Sequence, residues 1–132
     1  MNAPHRLALI ERLAEHPLIN AAQVWFTHAP DEAPAPVILL SLDEDSPIST
    51  LNGGTGLHTA QLSVDVWTHD TAEAISLRQA ALDQFEGYSA VLPAASATAR
   101  ISYLFSRGNT EDYDAAANMA HARADFTLGY AD

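Results

Sequence analysis

The stretch Leu57-His58-Thr59-Ala60-Gln61-Leu62-Ser63-Val64-Asp65-Val66-Trp67 decides the fold. Ala60, Leu62, Val64 and Val66 alternate with Thr59, Gln61, Ser63 and Asp65. Successive side chains of a strand point to opposite faces, so this period predicts a β-strand with one core face and one polar face. C-terminal to it, Asp70-Thr71-Ala72-Glu73 fits a capping box with Asp as the cap. Ala74, Ile75, Leu77, Ala81, Leu82 and Phe85 then give the apolar face of a helix, and Gly87 stops it. Beyond a variable stretch around Pro93, Ile101, Tyr103 and Phe105 share a face of another strand. A last strand from Met119 to Tyr130 sets Ala120, Ala122, Ala124, Phe126 and Leu128 against His121, Arg123, Asp125 and Thr127. The acidic segment Gly108 to Asn118 reads as the connection between them.

On the N-terminal side, Val37 to Leu42 reads as a buried strand and Val24 to Phe26 as a short one. Ala29 to Pro36, with three prolines and two acids, reads as an exposed loop. Asp43 to Gly56 reads as a long loop, with an acid cluster and the stretch Asn52-Gly53-Gly54-Thr55-Gly56, in which part of Ile48 to Leu51 pairs as strand. The chain opens with a helix capped by Asn2, carrying Pro4 in its first turn. Leu7, Ile10, Leu13 and Ala14 form its apolar stripe, and Pro17 ends it. The order helix, strands, helix, strands predicts an α+β fold: a single domain over 1–132, mainly an antiparallel sheet with two helices packed on one face.

Composition narrows the function classes. The 132 residues suffice for a core without disulfides, and there is no cysteine to supply disulfide, zinc-thiolate or thiol chemistry. The net charge is −11, and all six basic residues are arginine. From Arg12 to Arg78 no fixed positive charge interrupts Asp31, Glu32, Asp43, Glu44, Asp45, Asp65 and Asp70. A nucleic-acid binder shows the opposite, a basic stripe that replaces counterions. An acidic surface past which DNA slides without sticking remains compatible, because like charges repel. No apolar run approaches the roughly 20 residues that span a bilayer. Charges within Met1 to Glu15 argue against a signal peptide, so synthesis in the cytoplasm is the expectation.

Motifs for catalysis do not assemble. The glycines at 53, 54 and 56 precede a strand and no lysine follows, unlike a phosphate loop. His5, His16, His28, His58, His69 and His121 lack metal-ligand spacing. Asp43-Glu44-Asp45 are consecutive, so their side chains diverge, and Glu111, Asp112 and Asp114 read as solvated loop residues. Gly87-Tyr88-Ser89-Ala90-Val91 lacks the second glycine of a nucleophile elbow. The expectation is therefore no enzyme, no metal and no cofactor. The unusual feature is the polar sheet face, where Asp65, Arg123 and Asp125 lie opposite the core and Trp67 projects with Asp65. One reading is a solvated face with a weak ion pair. The other is a subunit or partner interface, with charges fixing register and Trp67 as an anchor or folded over the strand end.

Ser63-Val64-Asp65-Val66-Trp67, a short gap, Thr71-Ala72-Glu73-Ala74, a helix ending near Phe85-Glu86-Gly87 and a closing strand His121 to Tyr130 together resemble the tail-terminator or tail-completion proteins of long-tailed bacteriophages. The opening helix, Pro-rich loop and Val37 to Leu42 strand resemble the same family, which also occurs in prophages and gene transfer agents. The resemblance spans nearly the whole chain. It implies a structural virion protein that forms a six-membered ring on the finished tail tube, ends tube growth and docks to the head. The implied partners are further copies of itself, the tail tube protein and a head-tail connector or stopper, with DNA as passing cargo and no membrane. Asp65, Trp67, Arg123 and Asp125 are then candidates for the subunit or partner interface, and Asp43, Glu44 and Asp45 for the lumen or tube end. The implied location is the host cytoplasm during assembly, then the head-tail junction of the particle. Ala29 to Pro36 is shorter and more acidic than the corresponding family segment often is. A head-side neck protein, another minor tail component and a stand-alone binding module are the competing readings.

Overall fold

A computed structural model describes residues 1, 3–50, 53–92 and 99–131; of 44–50 and 53–56 it describes the strand path alone. The expected cap at Asn2, the stretch around Pro93 and the side chains of Glu44 and Asp45 lie outside the described residues. The elements are α1 (Ala3–Ala14), a short 3-10 turn (Ala21–Gln23), β1 (Val24–Phe26), β2 (Val37–Thr50), β3 (Gly53–Thr68), α2 (Thr71–Phe85), β4 (Ala90–Val91), β5 (Arg100–Asp114) and β6 (Met119–Ala131). The strands form one sheet in the order β1-β2-β3-β6-β5-β4. β1 runs parallel to β2, and every other pairing is antiparallel.

The alternation in β3 acts as expected. Ala60, Leu62, Val64 and Val66 are buried with Ile38 and Leu40 of β2 and with Ala122, Ala124, Phe126 and Leu128 of β6. Leu77, Ala81 and Phe85 of α2 cover them, and Phe85 meets Phe126 edge-on at 5.5 Å. The small alanines of β6 let the helix approach the sheet closely. α1 joins on the same side with His5, Leu9 and Leu13 buried. His5 Nε2 lies 2.6 Å from the Ala131 carbonyl, which pins α1 to the end of β6.

Several expectations are corrected. Leu7 is 56% exposed, because the buried stripe of α1 runs through positions 5, 9 and 13 and turns Leu7 outward. Ile75 of α2 is also exposed, and the buried face takes in Ala80 and Arg78. Asp70 caps α2 through Oδ1, 3.1 Å from Ala72 N, but the Asp70 N–H donates to Thr68 Oγ1 at 2.9 Å, so Thr68 takes the place of Glu73 in the capping box. Gly87 has φ +75°, the left-handed turn that ends the helix, and its N–H donates to Leu104 O at 2.8 Å.

The segments read as loops at Asp43 to Gly56 and Gly108 to Asn118 are largely strand. β2 continues to Thr50 and β3 returns from Gly53; β5 continues to Asp114, leaving residues 115–118 as the turn. Their hydrogen bonds come from the neighbouring strand, which requires no apolar alternation. Register shifts mark Asp43, between Leu42 and Glu44, and Ser102 and Arg107 in β5. The shift at Ser102 divides Ile101 from Tyr103 and Phe105: Ile101 is buried with Leu104, while Tyr103 and Phe105 stack at 5.7 Å on the opposite face. There Tyr103 crosses Gly129, where an added Cβ would overlap its ring, and its hydroxyl donates to Thr59 Oγ1 at 3.4 Å.

Candidate subunit and partner interface

Both helices lie on one face of the sheet, and the opposite face carries the polar alternate residues of β3 and β6. Register stacks them in rows. Asp65 sits between Leu39 and Arg123, Ser63 between Ser41 and Asp125, and Trp67 between Val37 and His121. β5 extends two of these rows with Thr110 beside Arg123 and Asp112 beside His121. β1 adds Trp25 beside Leu39 at the far edge. The bulge at Asp43 turns its carboxylate onto the Ser63 row.

Arg123 is the hub. Its Nε donates to Asp125 Oδ1 at 2.9 Å and its Nη2 to Ser63 Oγ at 2.6 Å. Nη2 also reaches Asp43 Oδ2 at 3.3 Å, and Nη1 lies 3.7 Å from Asp65 Oδ1. Burial works against the Arg123 charge, but the hydrogen bond to Asp125 and the carboxylates of Asp65, Asp125 and Asp43 outweigh it and raise its pKa. Ser63 Oγ lies 3.0 Å from both Asp43 Oδ2 and Asp125 Oδ1, so its one proton serves one carboxylate while a lone pair accepts from Arg123.

A second cluster adjoins the first through Asp65. His121 Nε2 is 2.6 Å from Asp65 Oδ1, its Nδ1 is 2.8 Å from Asp112 Oδ1, and its ring stacks on Trp67 at 4.1 Å. Ser63 is fully buried and Asp65 is 8% exposed. This face therefore carries several linked ion pairs, with Asp65 and His121 at its more buried part. Trp67 is half-buried, held flat against His121. Next to the hub, Asp43, Gln61, Arg107, Arg123 and Asp125 line an open depression of about 410 Å³. Arg107 lies across it and donates to the Gln61 amide oxygen.

The structure thus brings Asp65, Trp67, Arg123 and Asp125 together and adds Asp43 to them. Sequence reasoning missed Ser63, His121 and Asp112 as members of the network. The signal was present in the i, i+2, i+4 spacing of His121, Arg123 and Asp125, which places all three on one strand face. Among the described residues, no group of three or more His, Asp or Glu is placed to hold a metal ion. No described helix is long and apolar enough to cross a membrane.

The sequence from residue 7 to residue 131 matches the family described as tail completion protein gp17. The chain belongs to that family. Membership places it among the structural proteins of phage tails, as the resemblance of its closing strand and second helix implied. No curated protein matches the sequence. Among solved structures, a chain from the virion of a native gene transfer agent particle shares the fold with a TM-score of 0.71 and 17% identity, over 94% of this chain and 92% of that chain. That likeness extends the fold of this tail completion protein to a particle component despite the low identity.

Proposed function

We propose that the chain is a tail-terminating subunit. It assembles head to tail into a six-membered ring on the end of the tail tube, stops tube growth and presents the surface that joins the head. The family match over residues 7–131 carries this reading. The uncovered sheet face supports it: a partly exposed network of linked charges without a covering layer suits a protein whose second surface is another protein. A cyclic ring larger than a dimer needs two different complementary surfaces on each subunit. In this reading Asp65, Trp67, Arg123 and Asp125 contribute to the subunit or partner interface. Asp43, at the bulge of β2, and the adjacent Glu44 and Asp45 belong to the lumen or the tube end, with the Asp43 carboxylate also tied to Arg123 of the interface cluster. Six copies carry a charge of −66 (six times −11), which keeps passing DNA from adhering if acids line the hole. The tube protein and a head-side connector or stopper are the partners, and the protein does no catalysis and uses no cofactor.

The test is removal of the gene from a producing strain, with tail lengths measured by electron microscopy. Overlong tubes of scattered length, unattached to heads, are expected. Tails of normal length joined to heads would overturn the proposal.

A further inference from the structure

The sheet is open and ends in two edge strands, and an edge presents unpaired backbone groups to any other chain. On one side β1 covers β2 at Ile38, Leu39 and Leu40, and the Thr27 N–H donates to the Leu40 carbonyl at 2.7 Å. Farther along β2 come the register shift at Asp43 and then Pro47, which has no N–H to offer a further strand. On the other side β4 pairs with β5 only at Arg100 and Ile101. From Tyr103 to Asp114, no strand among the described residues lies on the outer side of β5. That stretch contains no proline, and Phe105 and Tyr113 within it are 52% and 53% exposed. An open edge carrying exposed aromatic residues favours pairing with another strand.

The C-terminal end of α2 stands where that strand would lie. The Gly87 N–H donates to the Leu104 carbonyl at 2.8 Å, and the Ser106 N–H donates to Glu86 Oε2 at 2.7 Å. Alternate residues of a strand turn their backbone groups to the same side, so these two contacts mark the side of β5 away from β6. This end of α2 is itself held to α1: Arg12 Nε donates to the Gln84 carbonyl and Gln84 Nε2 to the Arg12 carbonyl, both at 2.8 Å.

We infer that Glu86 is an edge guard: its carboxylate occupies the Ser106 N–H and keeps β5 from pairing with β5 of a second copy of this chain. The geometry fits that occupant. In an antiparallel pair of two β5 strands centred on Phe105, Ser106 of each copy lies opposite Leu104 of the other, and its N–H reaches that Leu104 carbonyl. These are the two groups that the end of α2 holds within the subunit. Phe105 of each copy then faces its counterpart, an aromatic cross-strand pair. The acids Glu111, Asp112 and Asp114 lie beyond the paired stretch, opposite the end of β5 that β4 covers, so they do not meet one another. The contact is autoinhibitory and independent of the ring reading. With the guard in place, copies of this chain join through faces and side chains and not by continuing the sheet.

The test uses the full chain and native mass spectrometry over a range of protein concentrations. Glu86 is exposed, so Glu86→Ala leaves the core intact. This variant should form a species of twice the wild-type subunit number at a concentration roughly tenfold lower than wild type needs, the equivalent of one hydrogen bond released to a second chain. Glu86→Gln keeps an acceptor oxygen and should match wild type. Glu86→Ala with Ser106→Pro removes the N–H itself and should also return to wild-type behaviour. Glu86→Ala that associates like wild type, Glu86→Gln that doubles as Glu86→Ala does, or doubling that survives Ser106→Pro would each overturn the inference. Every outcome is read relative to wild type, so none of them bears on the tail-length test of the ring reading.

Discussion

Replacing Arg123 by Met tests whether the outer-face network holds the sheet together or merely decorates it. The substitution keeps the aliphatic stem and removes the hydrogen bonds to Asp125 at 2.9 Å and Ser63 at 2.6 Å, with the longer contact to Asp43 and the ion pair to Asp65. A hydrogen bond to a charged group contributes about 1.5–3 kcal/mol. Two such bonds at the lower end give about 3 kcal/mol. The guanidinium side chain is 34% exposed, so water recovers part of this. The expected cost is about 2–3 kcal/mol, well above the roughly 0–1 kcal/mol of an exposed pair. Urea denaturation at neutral pH should show a lower midpoint with unchanged slope. The melting temperature should fall by roughly 6–15 °C. Without the arginine, the carboxylates of Asp43, Asp65 and Asp125 repel each other beside a buried hydroxyl. Adding Asp125→Asn should therefore recover about 1–2 kcal/mol, because one charge is gone and the amide donates hydrogen bonds. A single variant within about 0.5 kcal/mol of wild type, or a double variant less stable than the single, would refute the reasoning.

Three further outcomes follow from other parts of the molecule. Leu62→Ala, at a fully buried position in the middle of β3, should destabilise the fold by about 2–5 kcal/mol in the same urea assay. Gly129→Ala would drive a methyl group into the Tyr103 ring, so Tyr103 must leave its place over β6, costing about 1–3 kcal/mol; Tyr103→Ala with Gly129→Ala should lose less than the sum of the singles. Burial raises the Tyr88 pKa above its ordinary value, the nearby Arg12 charge lowers it, and Glu15 and Glu11 raise it. A raised folded-state value means stability that is complete below the unfolded pKa and declines as pH rises through the folded one. The ultraviolet phenolate titration of wild type should therefore contain a transition above the ordinary tyrosine range that Tyr88→Phe removes.

The parts of the fold that were legible in the sequence are those whose burial dictates their residues. β3 and β6 alternate because one face packs under α2, and Asp70 and Gly87 mark the ends of that helix. The outer halves of β2 and β5 were not legible. Glu44, Asp45, Asn109, Asp112 and Asp114 read as loop, yet their backbones take hydrogen bonds from a neighbouring strand whatever the side chains are. The bulge at Ser102 similarly reversed the face of Tyr103 without changing the local composition. At the candidate site, Asp65, Trp67, Arg123 and Asp125 were marked by strand period alone. Asp43, Asp112 and Ser63 were not drawn into the same cluster, because the contacts depend on pairing between strands far apart in sequence: Asp43 and Arg123 are 80 residues apart. The spacing of the histidines gives His121 no metal role and does not reveal its partners; its ring nitrogens face Asp65 and Asp112.

The most direct test of the central claim is the position of the protein in intact particles, read by antibody-gold labelling and negative-stain electron microscopy of the producing host's particles. Label concentrated at the junction of head and tail is the predicted result. Label absent from every particle, or spread along the tail tube, with controls showing the epitope accessible, would contradict it.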